Sequence, residues 1–370
     1  MTALDVDRRQ ALAYRVTAHG LHRDTRGDLA GLRVFDLGVQ HVHPDSVRLA
    51  ITARVREPVV DLLDRKDFAI VWSFRGAPHL LRQADVATIA GELWPWSDAD
   101  AEARLGEWRK LKKSGDGAIE AFTRVTETMR EVVTDTTPKG EVSRAVSDRL
   151  PEEYGYQCRS CQAHHIYGGI FQQAGIFAGV RVLPGRSPTM LAPLLDRSPV
   201  PTENTGPRGL LLSYLGLHGP ATVTEAAAYL GTSRAQARRV WPEDLAEIRF
   251  DGRATYLPGE KVDELRNASA PDLVRLLPPL DPYLQARDRE VIVPDKAHRK
   301  DLWRILGNPG AVLAGGEIAG SWRAKSTTKK TTITVSPYIP LDKATKAAIT
   351  EEANTIAALR GTAEAVVSFD

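Results

Sequence analysis

The sequence predicts an α+β, mainly helical protein made of tandem winged-helix (helix-turn-helix) modules with a C-terminal β-rich element. Three observations predict it. Segments with helical apolar spacing are followed by short β-rich runs in the order helix, helix, hairpin; a glycine-centred helix-turn-helix stands at 224–241; and a Ser/Thr-rich hairpin lies in the C-terminal region. At 370 residues and 42% hydrophobic, the chain holds material for several modules rather than one.

The first module is expected over 1–115. A helix reads over 7–19, an apolar stretch over 32–39, and after Pro44 a helix over 46–54 with Ser46 or Asp45 as its N-cap. The run FAIVWSF at 68–74 reads as a strand, Arg75-Gly76-Ala77-Pro78 as a turn, and 79–81 as the return strand. A helix follows over 85–91, and Ser97-Asp98 caps another that runs to about Lys113. The pattern recurs more loosely over 116–183, the second winged-helix-like module, with helices through Arg130, after Pro138 and over 166–177, then a strand at 180–183. The proline-rich stretch 184–207 is the expected linker.

The third module, 208–270, carries the clearest signal. An apolar helix at 210–215 ends at His218-Gly219-Pro220, a second covers 224–230, Gly231 turns the chain, and Thr232-Ser233 caps a third helix over 234–241. Strands at 248–250 and 254–257 about the turn Asp251-Gly252 complete a wing. The remaining 271–370 is expected as a C-terminal β-rich element with a basic hairpin.

Net charge is only +2, so nucleic-acid binding has to be argued from where the cations fall. A groove-reading helix needs donors at its start and outward face, which Arg234, Gln236, Arg238 and Arg239 supply; a solvated basic face of a protein-docking module is the other reading. Arg323, Lys325, Lys329 and Lys330 around the C-terminal hairpin, and Arg75 in the first wing turn, suit phosphate contacts. His79 either faces the same cleft or is a buried, hydrogen-bonded residue. No apolar run approaches the roughly 18 residues of a membrane span and the N-terminus is not signal-like, so a cytoplasmic, nucleoid-associated protein is expected.

Cys158 and Cys161 with His164 and His165 have ligand types for zinc, but the usual distant second ligand pair is missing and no metal is expected. Gln172 and Gln173 read as surface residues. Asp281 and Asp288 flank Tyr283 and Arg287; without convergent carboxylates a nuclease is not indicated, and an Asp281 to Arg287 ion pair is the economical expectation. No phosphate-binding glycine loop suggests ATP, and no cofactor is expected.

The segments LGVQ (37–40), WSFRGAPHL (72–80), 211–237, LLPPLDPYL (276–284) and VLAGGEIAGSWR (312–323) together resemble the AlkZ-like winged-helix DNA glycosylases over about residues 8–325. The resemblance implies three tandem winged helices cradling duplex DNA and excision of alkylated purines, some members unhooking crosslinks or removing genotoxin adducts. It also implies a catalytic Gln, one residue, then a second Gln or an Asp. The first falls on Gln40; the second falls on Val42, whose side chain cannot bind water, and His41, His43 and Asp45 become the candidates to replace it.

The chemistry asks for such groups. An N7- or N3-alkylated purine is already cationic and leaves readily, so the enzyme chiefly stabilises an oxocarbenium-like sugar and places a water at C1′. Gln40 would orient that water and His43 would accept its proton, a role suited to imidazole as a side-chain type because its unperturbed pKa is near ~6.5. Alternatively, His41 and His43 are ordinary loop residues before Pro44. The expectation is a monofunctional, monomeric DNA glycosylase acting on double-stranded DNA that carries alkylated purines, giving self-resistance to a DNA-alkylating natural product. The competing expectation is a non-catalytic winged-helix transcription regulator.

Overall fold

Asp7 accepts a hydrogen bond from the backbone N–H of Gln10 at 2.8 Å and so starts the first helix, Arg8–Ala18, which buries Leu12, Tyr14 and Val16. The computed structural model describes residues 4–24, 28–159 and 162–370. Its mixed α and β elements form two compact units, each assembled from separated stretches of chain: Met1–Leu62, Leu212–Glu225 and Glu243–Asp370 in one, Leu63–Leu211 and Ala226–Pro242 in the other. No described helix is long and apolar enough to cross a membrane.

Among the described residues, the first unit contains two sheets. In the smaller, Leu4–Val6 runs parallel to Leu245–Phe250, which pairs antiparallel with Arg253–Pro258. The hairpin turns at Asp251 and Gly252, both with positive φ (44° and 76°), the pair of left-handed conformations that a two-residue turn needs and that Asp-Gly favours. The larger sheet runs in the order Val274–Leu277, Gly310–Ala314, Glu317–Ser326, Lys330–Pro337, Glu364–Phe369. Its last pair is parallel, which requires a crossover, and the helix Lys343–Leu359 provides it. That helix lays Ile349, Ala353 and Ile356 on Val312, Trp322, Ile333 and Val335. Leu49, from the helix Ser46–Thr52, joins the same core, so the segment that follows residues 40–45 is seated on this sheet.

Buried Arg–Asp ion pairs lie inside this unit. Arg54 makes a bidentate pair with Asp281 (2.9 and 2.7 Å), both fully buried, and its Nη1 also donates to the carbonyl of Ala50. Arg15 pairs likewise with Asp288 at 3.0 and 2.5 Å. These correct the expected partnership of Asp281 with Arg287: Asp281 takes a guanidinium 227 positions away in sequence. A buried carboxylate needs a planar, two-pronged donor, and Arg54 presents one from the end of its helix.

In the second unit the strands Pro78–Arg82, Phe68–Trp72, Val180–Leu183, Met190–Pro193 and Thr137–Pro138 follow one another in a sheet. Met190–Pro193 lies within 184–207, so that stretch is not only a connector; its prolines flank a paired strand. Ser97 and Ser233 cap the helices Asp98–Arg104 and Arg234–Arg239 as expected, each hydroxyl accepting from the N–H three residues on. The expected single helix to Lys113 is broken at Leu105 into two.

Candidate active site

Residues 40–45 enter from the short strand Val39–Gln40 and leave into the helix Ser46–Thr52. Asp45 stands at the N-cap position but its carboxylate caps nothing; it is held by Arg48 at 2.7 Å and by Arg360 at 3.1 Å. Ser46 does the local work instead. Its hydroxyl donates to the carbonyl of His43 at 2.8 Å, accepts from the N–H groups of Val42 (3.1 Å) and His43 (3.3 Å), and lies 3.4 Å from the carbonyl of Gln40. One buried hydroxyl therefore folds the loop and brings the backbones of residues 40 and 43 to a common point.

His43 is exposed, and two clefts meet at it. One, of about 440 Å³, is walled by Val42, His43, Ser46, Leu280, Asn308, Trp322 and Arg323 among others, a size within the roughly 300–1,000 Å³ of small-molecule sites. The other, of about 570 Å³, is lined by His43, Asp45, Arg48, Ser326 and Arg360. The loop thus offers an imidazole at a wall that is apolar on one side and cationic on the other. The backbone N–H of Asp45 lies 3.4 Å from His43 Nδ1, a weak contact that rotation of the exposed ring releases.

The remaining loop candidates differ. Gln40 and His41 are half-buried and line neither cleft. Burial, and secondarily the charge of His43, hold His41 below the usual imidazole range. Its Nδ1 is buried without a hydrogen-bond partner, which suits a neutral ring. Asp45 lies between the guanidiniums of Arg48 and Arg360, which compensate its charge.

The expected DNA contacts separate into those at the surface and those within the fold. Arg234, Arg238 and Arg239 are exposed on the helix Arg234–Arg239, and Arg323, Lys325, Lys329 and Lys330 are exposed on the Glu317–Ser326 and Lys330–Pro337 hairpin. Thr327 orders the hairpin tip by accepting from the N–H groups of Lys329 and Lys330 at 3.3 and 3.2 Å. Gln236 is corrected: it is 7% exposed and accepts from the Ser97 hydroxyl, so it holds its helix in place. Arg75 is corrected too, with φ at +56°, its guanidinium 5.1 Å from the Tyr229 ring centroid and donating to the Tyr229 carbonyl. It is drawn onto the turn at Gly231, whose φ of +83° only glycine accepts freely and where a Cβ would meet the Arg75 side chain at 2.9 Å.

His79 takes the buried form. It is 2% exposed, its Nδ1 donates to the carbonyl of Ala77 at 2.9 Å, and Ser73 Oγ lies at the same distance. Burial first, and the charge of Arg75 second, push its pKa down to about 3. Gln172 and Gln173 are half-buried, Gln173 donating to the carbonyl of Arg104, and are not open surface. Cys161 lies outside the described residues; Cys158, His164 and His165 lie on the paired strands Gly155–Cys158 and Ala163–Ile166.

Sequence reasoning missed Ser46 as the loop's fastener, Arg360 as the partner of Asp45, and the exposed aliphatic pair Ile305 and Leu306 at the cleft's rim. Ser46 carried a signal, since a hydroxyl at a helix start after proline often binds nearby backbone. Arg360 carried none, being 315 positions from Asp45 in sequence.

Comparison with known proteins bears on this site. The family model described as DNA glycosylase AlkZ-like matches residues 34–359. The chain is 23% identical over 380 residues to an interstrand DNA cross-link repair glycosylase of Streptomyces sahachiroi, covering 95% of this chain and 96% of the relative. Among solved structures it matches the Streptomyces sahachiroi DNA glycosylase AlkZ with a TM-score of 0.77 at 19% identity, over 99% of this chain and 100% of that one. At that identity the structural match establishes the fold.

Proposed function

The chain belongs to the AlkZ-like DNA glycosylase family and is a hydrolase of N-glycosyl bonds in DNA; from that premise we propose that it excises alkylated or bulky-adducted purines from duplex DNA as a monofunctional, monomeric enzyme. Membership sets aside the non-catalytic regulator. The observation that carries the reading is the loop 40–45, folded by Ser46 against a cleft of about 440 Å³ with an exposed imidazole at its edge.

In the proposed reaction the C1′–N9 bond of a cationic purine breaks, the base leaves neutral, and the oxocarbenium-like sugar is met by water. The O–C1′ bond forms as His43 takes the water's proton. Gln40 orients that water, a role supported by the shared contact of the residue 40 and residue 43 carbonyls with one hydroxyl. Val42, at the position where the resemblance implies a second Gln or an Asp, leaves that contact to His43. The exposed cations of Arg234–Arg239 and of the basic hairpin would meet phosphates without reading sequence. Tandem winged helices remain the best description of the helix and hairpin succession. The protein would act in the cytoplasm, at the nucleoid where its substrate lies, and give self-resistance to a DNA-alkylating natural product; the Streptomyces relative, named for interstrand DNA cross-link repair, supports the DNA-repair part of that reading.

The test is incubation of the protein with duplex containing N7-methylguanine and mass spectrometry of the small-molecule fraction. Free N7-methylguanine, with matching alkali-labile sites in the DNA, is the expected result. Release from pyrimidine-adducted DNA only would remove the purine assignment.

A further inference from the structure

Ile305 is 100% exposed and Leu306 is 85% exposed, side by side on the loop between the helix Lys296–Leu302 and the strand Gly310–Ala314. Large aliphatic side chains in that position contribute nothing to the core. Both nevertheless border the cleft that His43 and Val42 line.

The loop beneath them is fastened. Trp303 donates through Nε1 to the carbonyl of Leu284 at 3.2 Å and packs against the core. Arg304 is paired with Asp301, whose other oxygen accepts from Ser321 at 2.7 Å and Tyr338 at 2.8 Å. Arg323 donates to the carbonyl of Gly307 at 2.8 Å, and Gly307, with φ +68°, lets the chain turn back. The stem is held at several points and only the apolar tip is free.

We propose that Ile305 and Leu306 form a wedge that enters the base stack of duplex DNA beside the lesion, occupying the space from which the damaged base is displaced toward the cleft. The inference rests on the glycosylase reading above. The occupant is argued from charge and size: Arg304, next to the tip in sequence, and Arg323, bonded to the Gly307 carbonyl, are exposed cations, suited to a polyanion whose interior is apolar. Two side chains are too small a patch for a stable protein interface, whereas apolar wedges of Ile or Leu between base steps are a recurrent way of unstacking DNA.

The experiment compares the full-length protein with its Ile305→Ala/Leu306→Ala variant on a duplex containing a tetrahydrofuran abasic analogue next to 2-aminopurine. Wild-type binding is expected to raise the 2-aminopurine fluorescence severalfold, and the variant to bind within about threefold of wild type without that rise. On N7-methylguanine the variant should excise at least about tenfold more slowly from duplex and at the wild-type rate from single strands, which have no stack to enter. Equal fluorescence and equal duplex excision by the two proteins would overturn the wedge, as would a wild-type dimer in sedimentation that the variant dissolves. The fluorescence readout needs no chemistry, so a wild type that unstacks the probe yet releases no methylpurine would fail the function and keep the wedge.

Discussion

The hydroxyl of Ser46 donates to the carbonyl of His43 at 2.8 Å while accepting from the N–H of the same residue at 3.3 Å. His43 is thus held by its backbone, while its exposed ring makes the weak 3.4 Å contact with the N–H of Asp45.

Replacing that hydroxyl should separate positioning from binding. Ser46→Ala is expected to lower single-turnover excision roughly 10- to 100-fold, because small displacements of a catalytic group are costly, with affinity for duplex DNA unchanged. Rescue by Ser46→Thr, which restores the hydroxyl, would distinguish positioning from misfolding. Full activity in Ser46→Ala would show that the loop needs no such clamp.

The buried pair Arg54 and Asp281 should dominate stability in the first unit. Asp281→Ala leaves a buried guanidinium uncompensated and is expected to cost about 3–5 kcal/mol. Asp263→Ala, which removes a carboxylate from an exposed pair with Arg266, should cost at most about 1 kcal/mol. Urea midpoints of the two variants check the contrast, and equal shifts would contradict it.

Stability should also fall in mild acid. Burial holds His79 neutral with a pKa of about 3, and burial likewise depresses His19 and His218, which face each other at 4.9 Å and stand near Arg15 and Arg54. The unfolded chain takes up protons near pH ~6.5 that the folded chain refuses, so this stability is whole above that pH and declines below it. For His79 the decline continues toward pH 3 at up to about 1.4 kcal/mol per pH unit. His79→Gln is expected to flatten the dependence of the urea midpoint on pH between 7 and 5; an unchanged slope would mean that His79 is not proton-linked.

The helix cap at Ser233, the Asp251-Gly252 turn and the exposed arginines of Arg234–Arg239 were all legible, because each is written in a few adjacent residues. The candidate loop was legible as a position but not as a geometry. Gln236 and Arg75 looked like surface donors because a local pattern cannot tell which polar groups a distant segment will claim: Ser97 claims one and Tyr229 the other. The same limit hid the partner of Asp281, and the helix Lys343–Leu359 was missed in a region that its hairpin marked as β-rich.

DNA affinity should depend on the surviving surface cations. Arg234→Ala/Arg238→Ala is expected to weaken binding more than Arg287→Ala and to reduce the slope of log K against log salt by about 2, one phosphate contact per arginine. Fluorescence anisotropy from low to high salt measures it. An unchanged slope would remove the helix Arg234–Arg239 from the interface.

The most direct test is the single-turnover rate of N7-methylguanine release from duplex DNA by wild type, Gln40→Ala, His43→Ala, His41→Ala and Asp45→Ala, with affinity measured in parallel. The first two variants should each lose on the order of 10²-fold in rate at nearly constant affinity, and His41→Ala should lose less. Full activity in His43→Ala with loss in Asp45→Ala would assign the proton to the carboxylate and contradict the account; full activity in all four would place the chemistry outside this loop.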